Sequence, residues 1–265
     1  MKIIEGFNEK STPDMKYYAF DWDDNIVYMP TEIILIDNYG DEVGMSTHDF
    51  AKYRGDIGKT EFKYRGTTIV NYADKPFRQF KVEGDGQFLQ DIMIAKVGPA
   101  FDDFKEAVNN GSIFSIITAR GHNPETLKTA VRIYIEEDFN DISKKKVIYN
   151  LNKYRDLIPG NNDNDIIDEY LDLCKFYPVS FGTGSAANPE LEKVKALNEF
   201  YEYCKEMANE IKKAFEFKND VSGESLKFSI GFSDDDMKNI ETMKKSIDKP
   251  ELTIYSTNKG TKDKV

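Results

Sequence analysis

Tyr17-Tyr18-Ala19-Phe20-Asp21-Trp22-Asp23-Asp24-Asn25-Ile26-Val27 is an apolar run that stops abruptly in carboxylates. Aromatic and small apolar side chains suit a pleated surface covered on both faces, so residues 17–20 are expected to form a buried strand. Asp21 and Asp23 fall where that strand should end. Residues two apart on an extended chain share a face, so both carboxylates would point the same way at the carboxyl edge of a sheet, where open α/β sheets take ligands. Two carboxylates that close repel, and a cation, or a proton on one of them, has to hold the pair together. Either solution is useful chemistry: a magnesium site, or a nucleophile beside a general acid. Alone, the segment fits a strand running into a solvated acidic turn equally well, because Asp and Asn are favoured turn residues. Stretches elsewhere in the chain decide between the two.

Residues 1–15 read as an irregular lead-in with a turn at Thr12-Pro13-Asp14. After residue 27 a parallel α/β fold would ordinarily enter a helix, yet Thr31-Glu32-Ile33-Ile34-Leu35-Ile36-Asp37 is strand-like. Asn38-Tyr39-Gly40-Asp41 is a turn and Glu42-Val43-Gly44-Met45 a second strand, which together predict a β-hairpin. Ser46-Thr47-His48-Asp49 resembles a helix cap, and short strand signals such as Thr67-Thr68-Ile69-Val70 then alternate with loops and aromatics. Residues 28–97 are therefore read as an insertion, a small α+β cap or flap over the sheet's ligand edge. Tyr53, Tyr64, Tyr72 and Phe77 are expected to form a small core of its own.

Regular alternation resumes at Pro99. Phe101, Phe104, Ala107 and Val108 recur at helical spacing with Gly111 as a C-terminal cap, and residues 112–118 read as a second buried strand ending in Thr118. Asn123-Pro124-Glu125 opens a helix with a capping residue, a first-turn proline and an acid at the positive end of the dipole. Residues 146–149 read as a short strand, residues 165–176 as a helix and residues 178–182 as a core strand. A long helix then runs from Asn188-Pro189-Glu190 to about residue 217, with Leu191, Val194, Leu197, Phe200, Tyr201 and Cys204 on one face. Leu226-Lys227-Phe228-Ser229-Ile230-Gly231-Phe232 is a strand ending in Ser233-Asp234-Asp235-Asp236, followed by a helix through Ile240 and Met243 and a last strand at residues 252–255. Residues 256–265 read as a frayed polar tail. The pattern predicts an α/β fold, a Rossmann-like parallel sheet with helices on both faces, built from residues 1–27 and 98–255 and interrupted by the insertion.

At 265 residues the chain can bury a sizeable core without staples. Its two cysteines, Cys174 and Cys204, lack metal-ligand spacing and are expected to be reduced and structural. No charged-then-apolar leader and no apolar run near the roughly 20 residues needed to span a bilayer are present, which predicts a soluble cytoplasmic protein with no membrane partner. A net charge of -11 disfavours nucleic acid, whose binding depends on neutralising phosphates, and leaves the oligomeric state open.

Three strands thus end in Asp21 with Asp23, in Thr118, and in Asp234 with Asp235, while a lysine lies near the start of a helix. In a parallel sheet these ends share one edge. The order resembles that of the haloacid dehalogenase superfamily of aspartyl-phosphate phosphohydrolases. Phe20-Asp21-Trp22-Asp23-Asp24-Asn25-Ile26 is similar to that family's first motif, Asp-x-Asp-x-Thr or Val after a hydrophobic strand. Ile116-Ile117-Thr118-Ala119-Arg120-Gly121 looks like the second motif, Lys193 like the lysine of the third, and residues 232–240 like the paired-Asp form of the fourth. The resemblance implies that Asp21 is the nucleophile, with Mg2+ held by its carboxylate, the Asp23 backbone carbonyl and Asp234. It implies that Asp23 protonates the leaving group and then activates water, that Thr118 and Lys193 hold phosphoryl oxygens, and that Asp235 supports the metal's water shell. Asn25 departs from the motif, standing where Thr or Val is usual, and altered local support is expected there. Acidic charge away from the metal disfavours long polyanions, so the expected substrate is a small phosphorylated metabolite or nucleotide.

Residue by residue, plainer alternatives stand beside these roles. Lys195 competes with Lys193, since both lie in the first two turns of one helix; Leu197, Phe200 and Tyr201 place Lys193 nearer the buried stripe. Arg120 is read as a substrate contact or a loop cap, His122 as a solvated loop residue and Asp236 as a helix cap. Phosphorelay receiver domains use a similar acidic cluster, Thr and Lys, but their acidic pair precedes the phosphorylated Asp, whereas here it comes last. A metal-binding or interaction module without turnover is the third reading.

Overall fold

The computed structural model describes residues 14–153, 162–182, 188–219 and 227–265; the expected lead-in as far as residue 13, and Leu226, lie outside them. β1 (Asp14–Phe20) lies at the centre of the main sheet and feeds both of its faces. Met15, Tyr17 and Ala19 enter one hydrophobic cluster, while Phe20, with half-buried Tyr18, enters the other. That is the period-2 alternation of a strand covered on both sides.

The chain then leaves the sheet. β2 (Val27–Tyr28), β3 (Glu32–Asp37), β4 (Glu42–Ser46), α1 (Thr47–Tyr53), β5 (Phe62–Tyr64), β6 (Thr67–Tyr72), α2 (Asp85–Asp91) and β7 (Lys96–Val97) follow. The predicted hairpin is β3 against β4, with Ile33 opposite Met45 and Leu35 opposite Val43. Its turn is held by Asp37, whose Oδ1 accepts from the N–H groups of Tyr39 (2.8 Å) and Asp41 (2.9 Å), and Gly40 takes the left-handed φ of +88°. β4-β3-β6-β5 form a four-stranded antiparallel sheet. Ser46 caps α1 by accepting from the Asp49 N–H. Ile33, Leu35, Met45, Ile57, Tyr64 and Ile69 fill the core of this unit, with Tyr53, Tyr72 and Phe77 packed against it. β2 pairs with β7, so the segment leaves and returns through one two-stranded stem. Its last part does not act with the rest: Phe88, Ile92 and Ala95 join the cluster under the main sheet.

The core resumes with α3 (Phe101–Asn109), β8 (Phe114–Thr118), α4 (Pro124–Glu136), α5 (Lys144–Asn152), α6 (Asp163–Leu173), β9 (Lys175–Pro178), α7 (Pro189–Asn219), β10 (Lys227–Asp234), α8 (Met237–Ser246), β11 (Leu252–Ser256) and β12 (Asp263–Lys264). The main sheet has the order β12-β11-β10-β1-β8-β9, parallel throughout except for β12. The architecture is thus α/β with a mixed, mostly parallel sheet. Residues of α3 to α6 pack in the cluster on one face and those of α7 and α8 in the cluster on the other. Winding therefore reverses between β1 and β10. In a doubly wound sheet that switch point opens a crevice at the strands' carboxyl ends, and both acidic motifs sit there.

Three expectations need correction. Residues 146–149 are part of the helix α5, with Val147 and Leu151 buried four apart on one side; an apolar run that short does not distinguish strand from helix. The strand placed at residues 178–182 lies earlier, at Lys175–Pro178, because the half-buried Lys175-Phe176-Tyr177 looks like the end of a helix in sequence. Residues 256–265 are no frayed tail. Ser256 completes β11, Thr257 is buried with its N–H donating to the Asp234 carbonyl (3.0 Å), and Asp263–Lys264 return antiparallel to β11. Polar composition concealed hydrogen-bond partners that only the folded chain supplies. Cys174 and Cys204 are both buried and free, and no helix among the described residues is long and apolar enough to cross a membrane.

Candidate active site

The parallel ladder between β1 and β10 runs one residue past β1, because the Asp21 N–H donates to the Ser233 carbonyl at 2.9 Å. Asp21 and Asp234 are thereby set side by side, buried, at the carboxyl ends of neighbouring strands. α7 buries Val194, Leu197, Phe200, Tyr201 and Cys204, and this stripe carries Lys193 inward with it. Lys193 is 1% exposed, its Nζ 2.8 Å from Asp234 Oδ2 and 3.0 Å from Asp21 Oδ1. Lys195, at 71% exposure, pairs with Glu192 on the outer face. Of the two lysines, the fold brings only Lys193 to the aspartates.

Asp234 is held from several sides. Asn239 Nδ2 donates to both of its carboxylate oxygens at 3.0 Å, and the Asp236 N–H donates to Oδ1 at 2.9 Å. Asp236 caps α8 by accepting from the Lys238 N–H. Asp235 joins the cluster: one carboxylate oxygen from each of Asp21, Asp234 and Asp235 can be chosen so that all lie within 4.8 Å of one another. Asp21 is less well satisfied, since its contact with Lys193 is ionic and off hydrogen-bond geometry. Its Oδ1 is buried with no hydrogen-bond partner among the described residues.

Burial with too few counter-charges shapes the titration. Loss of water pushes the Asp21 carboxyl up to about 8 although Lys193 pulls it down, and Asp234 and Asp23 add to the rise. Asp235 is pushed up to about 9 by burial and then by Asp234 and Asp21. Burial works against the charge of Lys193, but Asp21 and Asp234 outweigh it and hold the ammonium well above its ordinary range. In chelator-treated protein, folded Asp21 and Asp235 therefore keep protons that the unfolded chain has released. Stability should fall as pH rises from 6.5 towards 9, by at most about 1.4 kcal/mol per pH unit for each group. His122, pushed down to about 4 chiefly by burial and then by Arg120, acts only below that window. Asp235→Asn is expected to flatten the slope in urea denaturation. A slope as steep as in the parent protein would show that Asp235 is not its source.

Asp23 is gripped by Arg120, whose Nε lies 2.7 Å from Oδ2 and whose Nη2 lies 2.6 Å from Oδ1, a bidentate pair that fixes the plane of the carboxylate. Arg120 is 1% exposed, with its guanidinium 4.6 Å from the Phe80 ring and 5.0 Å from that of Phe88. Its Nη2 also donates to Thr31 Oγ1 (3.1 Å) and its Nη1 meets His122 Nε2 (3.1 Å), while His122 Nδ1 meets Asp85 Oδ1 at 2.7 Å. Arg120 thus positions Asp23 from the β8 end and ties it to the insertion. His122 is buried within this network and is not a solvated loop residue.

Asn25 joins the two central strands. Its Nδ2 donates to the carbonyls of Asp21 (3.0 Å) and Ser233 (3.1 Å) and to Ser233 Oγ (3.0 Å), and its Oδ1 accepts from Thr257 Oγ1 (2.8 Å). Only an amide supplies both the donors and the acceptor this position uses. Thr118 is buried at the end of β8, its Oγ1 accepting from the Arg120 N–H at 3.3 Å.

Asp21, Asp23, Thr118, Arg120, Lys193 and Asp235 line one cavity of about 480 Å³, within the range of small-molecule sites. The insertion supplies the facing wall, including Ile33, Phe50, Arg54, Phe77 and Phe80. Asn239 and Thr257 escaped sequence reasoning. Asn239 stands five residues after Asp234, inside the stretch 232–240, and was legible as a partner; Thr257 carries no local signal. Comparison with protein-family models, with curated proteins and with solved structures finds no match.

Proposed function

We propose that the chain is a metal-dependent phosphomonoester hydrolase of haloacid dehalogenase type that acts through an aspartyl-phosphate on Asp21. The observation carrying this reading is the convergence, at the switch point of the sheet, of Asp21, Asp235 and buried Lys193 on one cavity, with Asp234 buried against them. A charged set this deep is costly to bury and marks a candidate functional site. The donors fit a hard divalent cation: all are oxygens, three carboxylates meet, and Asp21 Oδ1 lacks a hydrogen-bond partner. Mg2+ would be held by the Asp21 carboxylate, the Asp23 carbonyl and Asp234, with Asp235 beside them, and when bound it would offset the repulsion between Asp21 and an anionic phosphate.

The chain's own residues divide the remaining work. Asp21 attacks phosphorus with a carboxylate oxygen as the bond to the leaving oxygen breaks. Asp23, held by Arg120 as a carboxylate, has to take up a proton before it gives one to that oxygen, and it is restored when it takes one from the water that cleaves the acyl phosphate. Lys193 and Thr118 receive phosphoryl oxygens in the cavity. The substrate is a small phosphorylated metabolite or nucleotide. Turnover of acetyl phosphate or p-nitrophenyl phosphate is expected with added Mg2+ and should be lost in chelator and regained on resupply. Chelator-insensitive turnover would overturn the role of the metal.

A further inference from the structure

The insertion lays aromatic rings along the cavity. Phe50 of α1 meets Phe77 edge to face, with centroids 5.5 Å apart and planes at 80°, and Phe77 meets Phe80 in the same manner at 6.4 Å. Such packing fixes ring orientations before any ligand arrives. All three rings are only half-buried and line the cavity, so part of their surface is left for an occupant. Buried Ile33 adds to the same wall.

Three of the polar groups on this side are already engaged. Arg54 pairs with Asp236 at 3.0 Å, Arg120 with Asp23, and the Thr47 hydroxyl hydrogen-bonds Asp24. A leaving group rich in hydroxyls would give up water against rings that return no hydrogen bonds, and that loss is not repaid there. A flat ring gives up little and gains contact with fixed aromatic edges.

We propose that the substrate is a small phosphomonoester whose leaving group carries an aromatic or heteroaromatic ring, lodged against Phe50 and Phe77 while its phosphoryl group faces Asp21. This rests on the phosphohydrolase reading above. The test must separate ring recognition from leaving-group reactivity. Benzyl phosphate and glycerol 1-phosphate both release an alkoxide, so with Mg2+ the wild-type kcat/KM should favour benzyl phosphate by about tenfold or more, the scale one apolar contact region provides. A nucleoside 5′-monophosphate tests the heteroaromatic form against glucose 6-phosphate. Phe50→Ala and Phe77→Ala should each lower the benzyl-to-glycerol ratio. Phe77→Leu, which preserves apolar bulk without the ring, serves if the alanine variant does not fold. Equal or reversed preference in wild-type protein that turns over acetyl phosphate would overturn the ring assignment and leave the phosphohydrolase reading standing. No turnover of any ester or of acetyl phosphate would overturn both.

Discussion

Asp21→Asn is expected to abolish turnover of every phosphomonoester, by at least about 10⁴-fold, the scale on which loss of a covalent nucleophile acts. The amide fills the same space and keeps the backbone contacts that place residue 21, the N–H to Ser233 and the carbonyl that accepts from Asn25. Loss of activity would therefore not come from loss of fold. A neutral group also avoids the burial penalty that raises the Asp21 carboxyl, so the chelator-treated variant should melt no lower than the parent. Steady-state assays on acetyl phosphate and p-nitrophenyl phosphate, with a thermal melt, check both halves. Residual activity above about 1% of the parent would mean that Asp21 holds metal or substrate and does not attack.

Lys193→Met is expected to unfold the site before it disables it. The ammonium lies between the buried carboxyl groups of Asp21 and Asp234, and removing it leaves the charge of Asp234 uncompensated, at a cost of about 3–5 kcal/mol. Methionine matches the volume and keeps the apolar stem, so packing of α7 should change little. Two remedies follow from the electrostatic cause. Adding Asp234→Asn should restore part of the loss, and saturating divalent cation should restore part of it in the single variant. Urea denaturation of the single and double variants, with and without metal, measures this. A loss that neither remedy reduces would place the cause in packing and not in charge.

The fold was legible where hydrophobic pattern and punctuation agreed. Residues 17–20, the Asn123-Pro124 and Asn188-Pro189 helix starts and the hairpin around Gly40 each carried local signals that the packed structure uses unchanged. The site was legible through its carboxylates and through the stripe that draws Lys193 inward, because strand ends and helix faces are written in residue spacing. What escaped depends on distant partners. Nothing near Arg120 marks it for Asp23, 97 positions away, and nothing near Thr257 marks it for Asn25, 232 positions away. The displaced strand at Lys175–Pro178 failed for a different reason, since half-buried residues of mixed polarity suit a helix end and an edge strand alike.

The claim that Asp21 becomes phosphorylated is tested most directly with Asp23→Asn. That change keeps the backbone carbonyl and an acceptor for Arg120 but removes the proton donor and acceptor, a contribution on the order of 10²- to 10⁴-fold in general acid–base catalysis. p-Nitrophenolate leaves with little protonation, so attack by Asp21 should survive while hydrolysis of the acyl phosphate slows. Acid-quenched Asp23→Asn protein incubated with Mg2+ and p-nitrophenyl phosphate should show a burst of nitrophenolate and a hydroxylamine-labile phosphate that mass spectrometry maps to Asp21. Phosphate on another residue, or turnover with no trapped intermediate, would contradict the account and make water the nucleophile.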